Sequence, residues 1–386
     1  MKMAIPLFFF FSVFAIVNVY LPIFFRNMGY SSTLIGILIS ILEIAGITFT
    51  FLLCKIPQKS GKYGLWLVFA AVLFIVLPIP MLTSSFGITL VCVILYAIPL
   101  KTPVPVTDSF INYLLGDNSD KYGTVRVWGS YGFIFTSLVF QFFIKPEELS
   151  QMQSAFLMII PGVLLLCSLL FIPKLLDPVK VVAPVEEKEV DSELPESKKS
   201  IFKQFSPTFW LFLVVLTIGY IGLYGPYKFF SLYVSEHLHS DSYGFLWALS
   251  TICELPTLFF SYIFVRKFGC KKLILFCIGM ISVRNFVYFL FPSVAGAAFG
   301  QMFHCFTFGL LYPATIYFIA TEAEGPKQVT AQAIFSVGSA GFASVLATFL
   351  GGLVIDHLGY SYLYVIFGCV PLVGLVLYFF LRKKTV

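Results

Sequence analysis

Charge is the scarcest property of this chain: Asp, Glu, Lys and Arg make up 11% of 386 residues, against 59% hydrophobic residues and 46 phenylalanines. A soluble domain of this length needs far more polar surface, so a water-soluble fold is excluded. The eight cysteines form no pair in the loops expected to face outward and show no metal-ligand spacing, so neither a disulfide framework nor a metal centre is supported. No glycine-rich phosphate loop and no nucleophile motif occurs, which leaves an ATP-driven pump or an intramembrane enzyme without recognisable parts; no cofactor is expected.

What is present is a series of apolar runs, each near the about 20 residues that cross about 30 Å of hydrocarbon. They fall near 4–25, 33–54, 64–83, 87–115, 126–144 and 154–174, then near 208–234, 243–265, 273–291, 294–321, 329–354 and 361–381. The first run follows Lys2 and could pass for a secretory leader. It is too long for one and no small-residue cleavage site follows, so it is read as the first span. Between the sixes lies one long polar stretch, 175–206, acidic from Glu186 to Glu196 and basic at Lys198, Lys199 and Lys203. It reads as a solvated tether. The expected organisation is therefore a six-helix bundle at 1–174, a cytoplasmic linker at 175–206 and a second six-helix bundle at 207–386.

Lysine and arginine placement sets the orientation, because basic flanks stay cytoplasmic. With the N-terminus inside, the inner loops collect Lys55, Lys59, Lys62, Lys121, Arg266, Lys267, Lys271, Lys272 and the Arg382 cluster, whereas the outer loops hold only Arg26 and Lys145. Both termini are expected in the cytoplasm, and the net charge of +6 reflects orientation rather than nucleic-acid binding. An internal repeat supports two parallel halves: Ser40-Ile41-Leu42-Glu43 in the second span matches Thr251-Ile252-Cys253-Glu254 in the eighth, at an offset of 211 residues. Transporters built from such repeats bind solute near the midplane between them.

Ionised groups inside a span cost about 2.5–3.5 kcal/mol each on insertion scales and persist mainly along a pathway. Pro105-Val106-Thr107-Asp108 in the fourth span and Tyr122-Gly123-Thr124-Val125-Arg126-Val127-Trp128-Gly129-Ser130 at the start of the fifth supply a carboxylate and a guanidinium. Arg126, Ser130 and Phe133 share one helical face, as do Lys101, Asp108 and Asn112. Tyr220, Tyr224, Tyr227 and Lys228 form a face ending in an ammonium, and Trp247, Thr251 and Glu254 one ending in a carboxylate. Such stripes also serve as packing surfaces or interface belts, and an intramembrane ion pair can simply join two helices.

These motifs, with Gly244-Phe245-Leu246-Trp247, Gln301-Met302-Phe303-His304-Cys305, Thr307-Phe308 and Ala331-Gln332-Ala333, resemble the major facilitator superfamily. The similarity lies within the branch of lactose permease, nucleoside:proton symporters and 3-phenylpropionate permeases, and is greatest to the phenylpropionate type. The superfamily signature is degenerate between the second and third spans, and a better copy, Arg266-Lys267-Phe268-Gly269-Cys270-Lys271-Lys272, joins the eighth and ninth. The resemblance implies an all-α membrane protein of twelve helices in two pseudo-symmetric bundles. It implies substrate-binding roles for Asp108 and Arg126, with Phe133 at the place of a sugar-stacking tryptophan, and matches Glu254, Arg284 and His304 to a proton-coupling set. Thr307 replaces the glutamate that carries the proton in lactose permease, so another carboxylate must do so here.

The full expectation is a monomeric secondary transporter of the bacterial inner membrane that takes up a small organic solute with protons by alternating access. Substrate contacts are assigned to Asp108, Arg126, Ser130, Phe133, Lys101, Tyr224, Lys228 and Trp247, and proton coupling to Glu254, His304, Arg284 and Glu43. Lys228 and Arg284 are the expected partners of Glu254. Four cations against three anions in the cavity favour an aromatic or other small carboxylate; a sugar or nucleoside is the alternative, as is a non-coupled facilitator or sensor. Reporter fusions after Lys198 and at Val386 should both read cytoplasmic, and a periplasmic signal at either would overturn the span count.

Overall fold

Backbone amides in hydrocarbon find no water, so each must be bonded within its own segment, and helices are the solution. The computed structural model describes residues 4–115, 122–143, 149–169, 204–323 and 326–385, and every regular element among them is helical. Most of the polar stretch 175–206, with Lys121 and Lys145, lies outside the described residues, as does the side chain of Asn112.

The first set of long helices is α1 (Ala4–Asn27), α2 (Ser32–Leu53), α3 (Tyr63–Val76), α4 (Phe86–Lys101), α5 (Pro103–Leu115), α6 (Tyr122–Phe143) and α7 (Gln151–Leu169). The second is α8 (Pro207–Lys228), α9 (Tyr243–Phe268), α10 (Cys270–Leu290), α11 (Val294–Met302), α12 (Leu311–Glu322), α13 (Pro326–Ala333), α14 (Phe342–Leu358) and α15 (Tyr360–Thr385). Among the described residues, 11 stretches are long and apolar enough to cross a membrane. The 22 residues of α6 add a twelfth of about 33 Å at 1.5 Å per residue, giving the expected twelve. Ser206 caps α8 by accepting from the Phe209 N–H at 3.0 Å, and Phe205 packs on Phe209.

Several spans are interrupted where the sequence reading expected continuity, and two of the interruptions follow an intramembrane lysine. The run 87–115 divides at Thr102, because Pro103 has no N–H to offer the preceding turn. Likewise α8 ends at Lys228, just after Pro226, and the chain continues through Phe230–Leu232 and a wide π-type turn, Tyr233–His237. Proline orphans the carbonyl four residues before it, and a single amide repairs two such losses. Asn285 Nδ2 of α10 donates to Gly222 O at 2.9 Å and to Phe367 O at 3.2 Å, the carbonyls freed by Pro226 and Pro371.

We call the end of the bundle that carries Ala4, Pro207 and Thr385 the terminal end, and its opposite the distal end. The two sets of helices meet along α2 with α14 and α6 with α9, where glycines let backbones touch: a Cβ on Gly352 would lie 2.2 Å from Ser32 O, and one on Gly244 2.6 Å from Ser137 O. Polar fastenings cluster at the distal end. Arg26 Nε donates to Glu236 at 2.6 Å, Tyr360 OH donates to the same carboxylate at 2.7 Å, and Asp356 accepts from the Ser32 and Thr33 N–H groups at 2.9 and 2.7 Å. Asp356 thereby caps α2 from the other set of helices, where the positive end of the helix dipole favours it. At the terminal end, Lys271–Glu322 (2.7 Å) stays within the second set.

Replacing Asn285 by leucine, which matches its size but donates nothing, should leave both buried carbonyls bare. Each such loss costs about 1–3 kcal/mol. Thermal unfolding in detergent should therefore show a loss of at least about 2 kcal/mol; an unchanged melting temperature would mean that the proline breaks are satisfied some other way.

Candidate functional site

The three groups of intramembrane charge occupy different depths and surroundings. The central one joins both sets of helices. Glu43, in the middle of α2 and 9% exposed, accepts from Lys228 Nζ at 2.7 Å and from Lys101 Nζ at 3.0 Å, the latter lying 3.0 Å from each carboxylate oxygen. Both lysines are the last residues of their helices, immediately before the breaks at Thr102 and Phe229. There the unpaired carbonyls of a helix C-terminus favour a cation. Gly46 makes room: a Cβ there would lie 2.6 Å from Lys101 Cγ, so the lysine stem runs along the bare face of α2. Glu43, Lys101 and Lys228 line a cavity with Phe14, Val17, Asn18, Ile39 and Tyr227. Lys228 was expected beside Glu254; its carboxylate is Glu43 instead, across the boundary between the two sets of helices.

The second group lies wholly within the second set of helices. Arg284 (5% exposed) donates from Nε to Tyr288 OH at 3.0 Å, from Nη1 to Thr307 Oγ1 at 3.0 Å, and from Nη2 to Gln301 Oε1. Its Nη1 also lies 3.1 Å from His304 Nδ1. A guanidinium only donates, so Nδ1 accepts and the ring proton sits on Nε2, 3.0 Å from Glu254 Oε2. The order Glu254, His304, Arg284 is thus a hydrogen-bonded relay in which a second imidazole proton would meet another donor. Tyr227 lies parallel to the imidazole at 6.2 Å and Phe308 at 5.5 Å, and Cys305–Leu310 forms a π-type segment directly after the histidine. Such wide turns are frequent at functional sites.

The third group is Asp108 with Arg126, whose closest atoms are 3.7 Å apart and whose side chains are about a third exposed. The guanidinium lies over Phe11, 3.9 Å from the ring centroid, an approach that Gly129 permits because a Cβ there would fall 2.6 Å from that ring. This pair is looser than the ion pairs of the other two groups, and it borders on Tyr312 of the second set. Ser130 follows Arg126 on α6, and Phe133 packs on the apolar cluster that both sets share.

Two aromatic expectations change. Trp247 is 2% exposed, donates from Nε1 to Ser231 Oγ at 3.0 Å and packs edge-on against Tyr227 at 4.7 Å, so it backs the cavity wall rather than forming it. Tyr224 stacks on buried Tyr220 at 5.5 Å, while Tyr227 alone of that stripe both lines the cavity and reaches the histidine. Sequence reasoning missed Phe11, which stands in a run of phenylalanines without distinguishing signal. Tyr288 and Gln301 were within reach: Tyr288 is one helical turn from Arg284, and Gln301 stands three residues before His304.

Twelve apolar helices with paired charges between two sets define a secondary transporter of the major facilitator superfamily, a multi-pass membrane protein and not an enzyme. The chain belongs to the MFS_1 like family, whose model matches residues 1–366. It is 22% identical to the uncharacterized transporter YwbF of Bacillus subtilis (strain 168), over 78% of this chain and 72% of that one. It is 24% identical to the lactose permease of Klebsiella oxytoca, over 94% and 90%, and 23% identical to the probable 3-phenylpropionic acid transporter of Escherichia coli (strain K12), over 73% and 70%. The crystal structure of the nucleoside transporter NupG (D323A mutant) superposes with a TM-score of 0.84 at 16% identity, covering 98% of both chains.

Arg126→Lys keeps the charge but loses the planar fork. Binding of the transported solute should weaken by about 2 kcal/mol, as when a hydrogen bond to a charged group is lost, while the protein still extracts folded into detergent. Normal binding and transport would make the Asp108–Arg126 pair a helix tie only.

Proposed function

We propose that this transporter is a proton-coupled symporter for a small organic solute, an aromatic or other small carboxylate, acting by alternating access. The observation that carries the reading is the charge count of the central cavity. Asp108 offsets Arg126 and Glu254 offsets Arg284 through His304, which leaves Lys101 and Lys228 facing the single carboxylate of Glu43. One positive charge remains beside the rings of Phe14 and Tyr227. An aryl carboxylate supplies the missing charge and a face for those rings. The name of the Escherichia coli relative points the same way.

In this reading the chain works as a monomer in the bacterial inner membrane with both termini cytoplasmic. Helices of 1–174 and 207–386 form two bodies, linked by 175–206, that rock about the solute. Glu254, with His304 beside it, carries the proton that Thr307 cannot. A sugar or nucleoside is the second reading. Asp108, a third exposed, could accept from hydroxyl groups, and the named lactose and nucleoside transporters share this fold.

In proteoliposomes an inward proton gradient should drive accumulation of 3-phenylpropionate in preference to lactose or uridine. Glu254→Gln should abolish that accumulation while leaving counterflow exchange measurable, because a neutral amide imitates the protonated acid. Accumulation that survives the substitution would move the proton path to Glu43 or Asp108, and flux indifferent to the gradient would make the protein a facilitator.

A further inference from the structure

Three charges share the central cavity whether or not a solute is present, and their arithmetic fixes what else can enter. Glu43 is the only carboxylate among the residues lining it; Lys101 and Lys228 are the only cations. The other described elements packed against α2 add no charge at this depth: α14 is ionisable only at Asp356 and His357 near its distal end, α1 only at Tyr20 and at Arg26 near its distal end, α4 adds only Cys92 and Tyr96 besides Lys101, and Lys55 and Lys59 lie beyond the terminal end of α2. Tyr224 and Tyr227 contribute neutral phenols nearby. A surplus of one positive charge is therefore local; Lys228, with 16% of its side chain exposed, is the deeper of the two cations, and Lys101 is 30% exposed.

The three groups are not equivalent. Glu43 and Lys101 belong to the same set of helices, and Lys101 spans both carboxylate oxygens at 3.0 Å. Lys228 comes from the other set and holds Oε1 alone. If Lys228 turns away, Glu43 is still paired, but Lys228 then needs an anion of its own. A solute with one carboxylate provides it and leaves two neutral pairs. A dianion leaves a stranded negative charge, and a neutral solute leaves the lysine unpaired; both are costly in hydrocarbon.

Resting on the carboxylate reading above, we propose that Glu43 is the specificity-determining residue that counts charge: by cancelling one of two lysines it sets the cavity to accept a solute carrying a single carboxylate, received by Lys228. Glu43 is then not a contact for the solute but the group that defines its valence. Removing it should not abolish recognition; it should change what is recognised.

The test compares three probes of similar shape and different charge, 3-phenylpropionamide, 3-phenylpropionate and phenylsuccinate, by calorimetric binding to purified protein near neutral pH. The wild type should bind the monoanion at least tenfold more tightly than the amide or the dianion. Glu43→Gln, which keeps size and an acceptor oxygen, should reverse the order so that phenylsuccinate binds at least tenfold more tightly than phenylpropionate. Lys228→Gln should move it the other way, with the amide equal to or better than the monoanion. If Glu43→Gln retains the wild-type order, the proposal is overturned; should that variant not fold, an unchanged order in Lys228→Gln overturns it equally. A wild type that binds lactose or uridine but none of the aryl probes would instead sink the carboxylate reading itself.

Discussion

A carboxylate shared by two ammonium groups ties the middle of this bundle together, and its position follows from the cost of leaving any charge alone in hydrocarbon. Much of the surrounding architecture serves that arrangement. Proline breaks end two helices at Lys101 and Lys228, so that each ammonium sits on a helix C-terminus. Gly46 bares a strip of α2 along which one lysine stem can lie. Prolines inside α8 and α15 free one carbonyl each, at Gly222 and Phe367, and Asn285 satisfies both. Burial then divides the three charged groups. Glu43, Lys228 and the Arg284 cluster are enclosed, whereas Lys101, Asp108 and Arg126 remain about a third exposed and able to meet a solute first.

The sequence made the spans legible because hydropathy over about 20 residues is a strong signal, and the twelve expected crossings are found. It also exposed Asp108, Arg126 and Glu254, since an ionisable residue in an apolar run stands out, whereas Arg284 and His304 were marked by the resemblance to known permeases. What it hid were partnerships across long separations. Lys228 and Glu43 are 185 residues apart, and nothing local to either announces the other. Helical spacing put Lys228 on the same face as Tyr227 and invited a partner in the same half; its contact is with Glu43 of the other half. Phe11 was invisible for the opposite reason, being one ring among many.

The distal fastening adds polar bonds to a buried apolar cluster that both helix sets share. Glu236 accepts from Arg26 and from Tyr360, and Asp356 meets bare N–H groups at the start of α2. Each of these bonds is at the rim of the bundle, where water can replace it when the contact opens. The glycine contacts along α2 and α14 complete the closure, since backbone against backbone leaves no side chains to interlock. A joint made of exchangeable polar bonds and smooth backbone suits surfaces that must separate and rejoin.

The wide turn that follows His304 has a mechanical meaning of its own. A π-type segment such as Cys305–Leu310 holds one residue more than an α-helix of the same rise. Tightening it into a regular turn would rotate everything beyond it by about 100° relative to the imidazole, the angle one residue subtends in a helix of 3.6 residues per turn. Phe308 stacks on His304, and Tyr312 stacks on Phe308, so that rotation would unstack the rings from the histidine in one motion. The segment is thus a twist held in reserve, a means of turning a local change at one ring into a change of face along the rest of the helix.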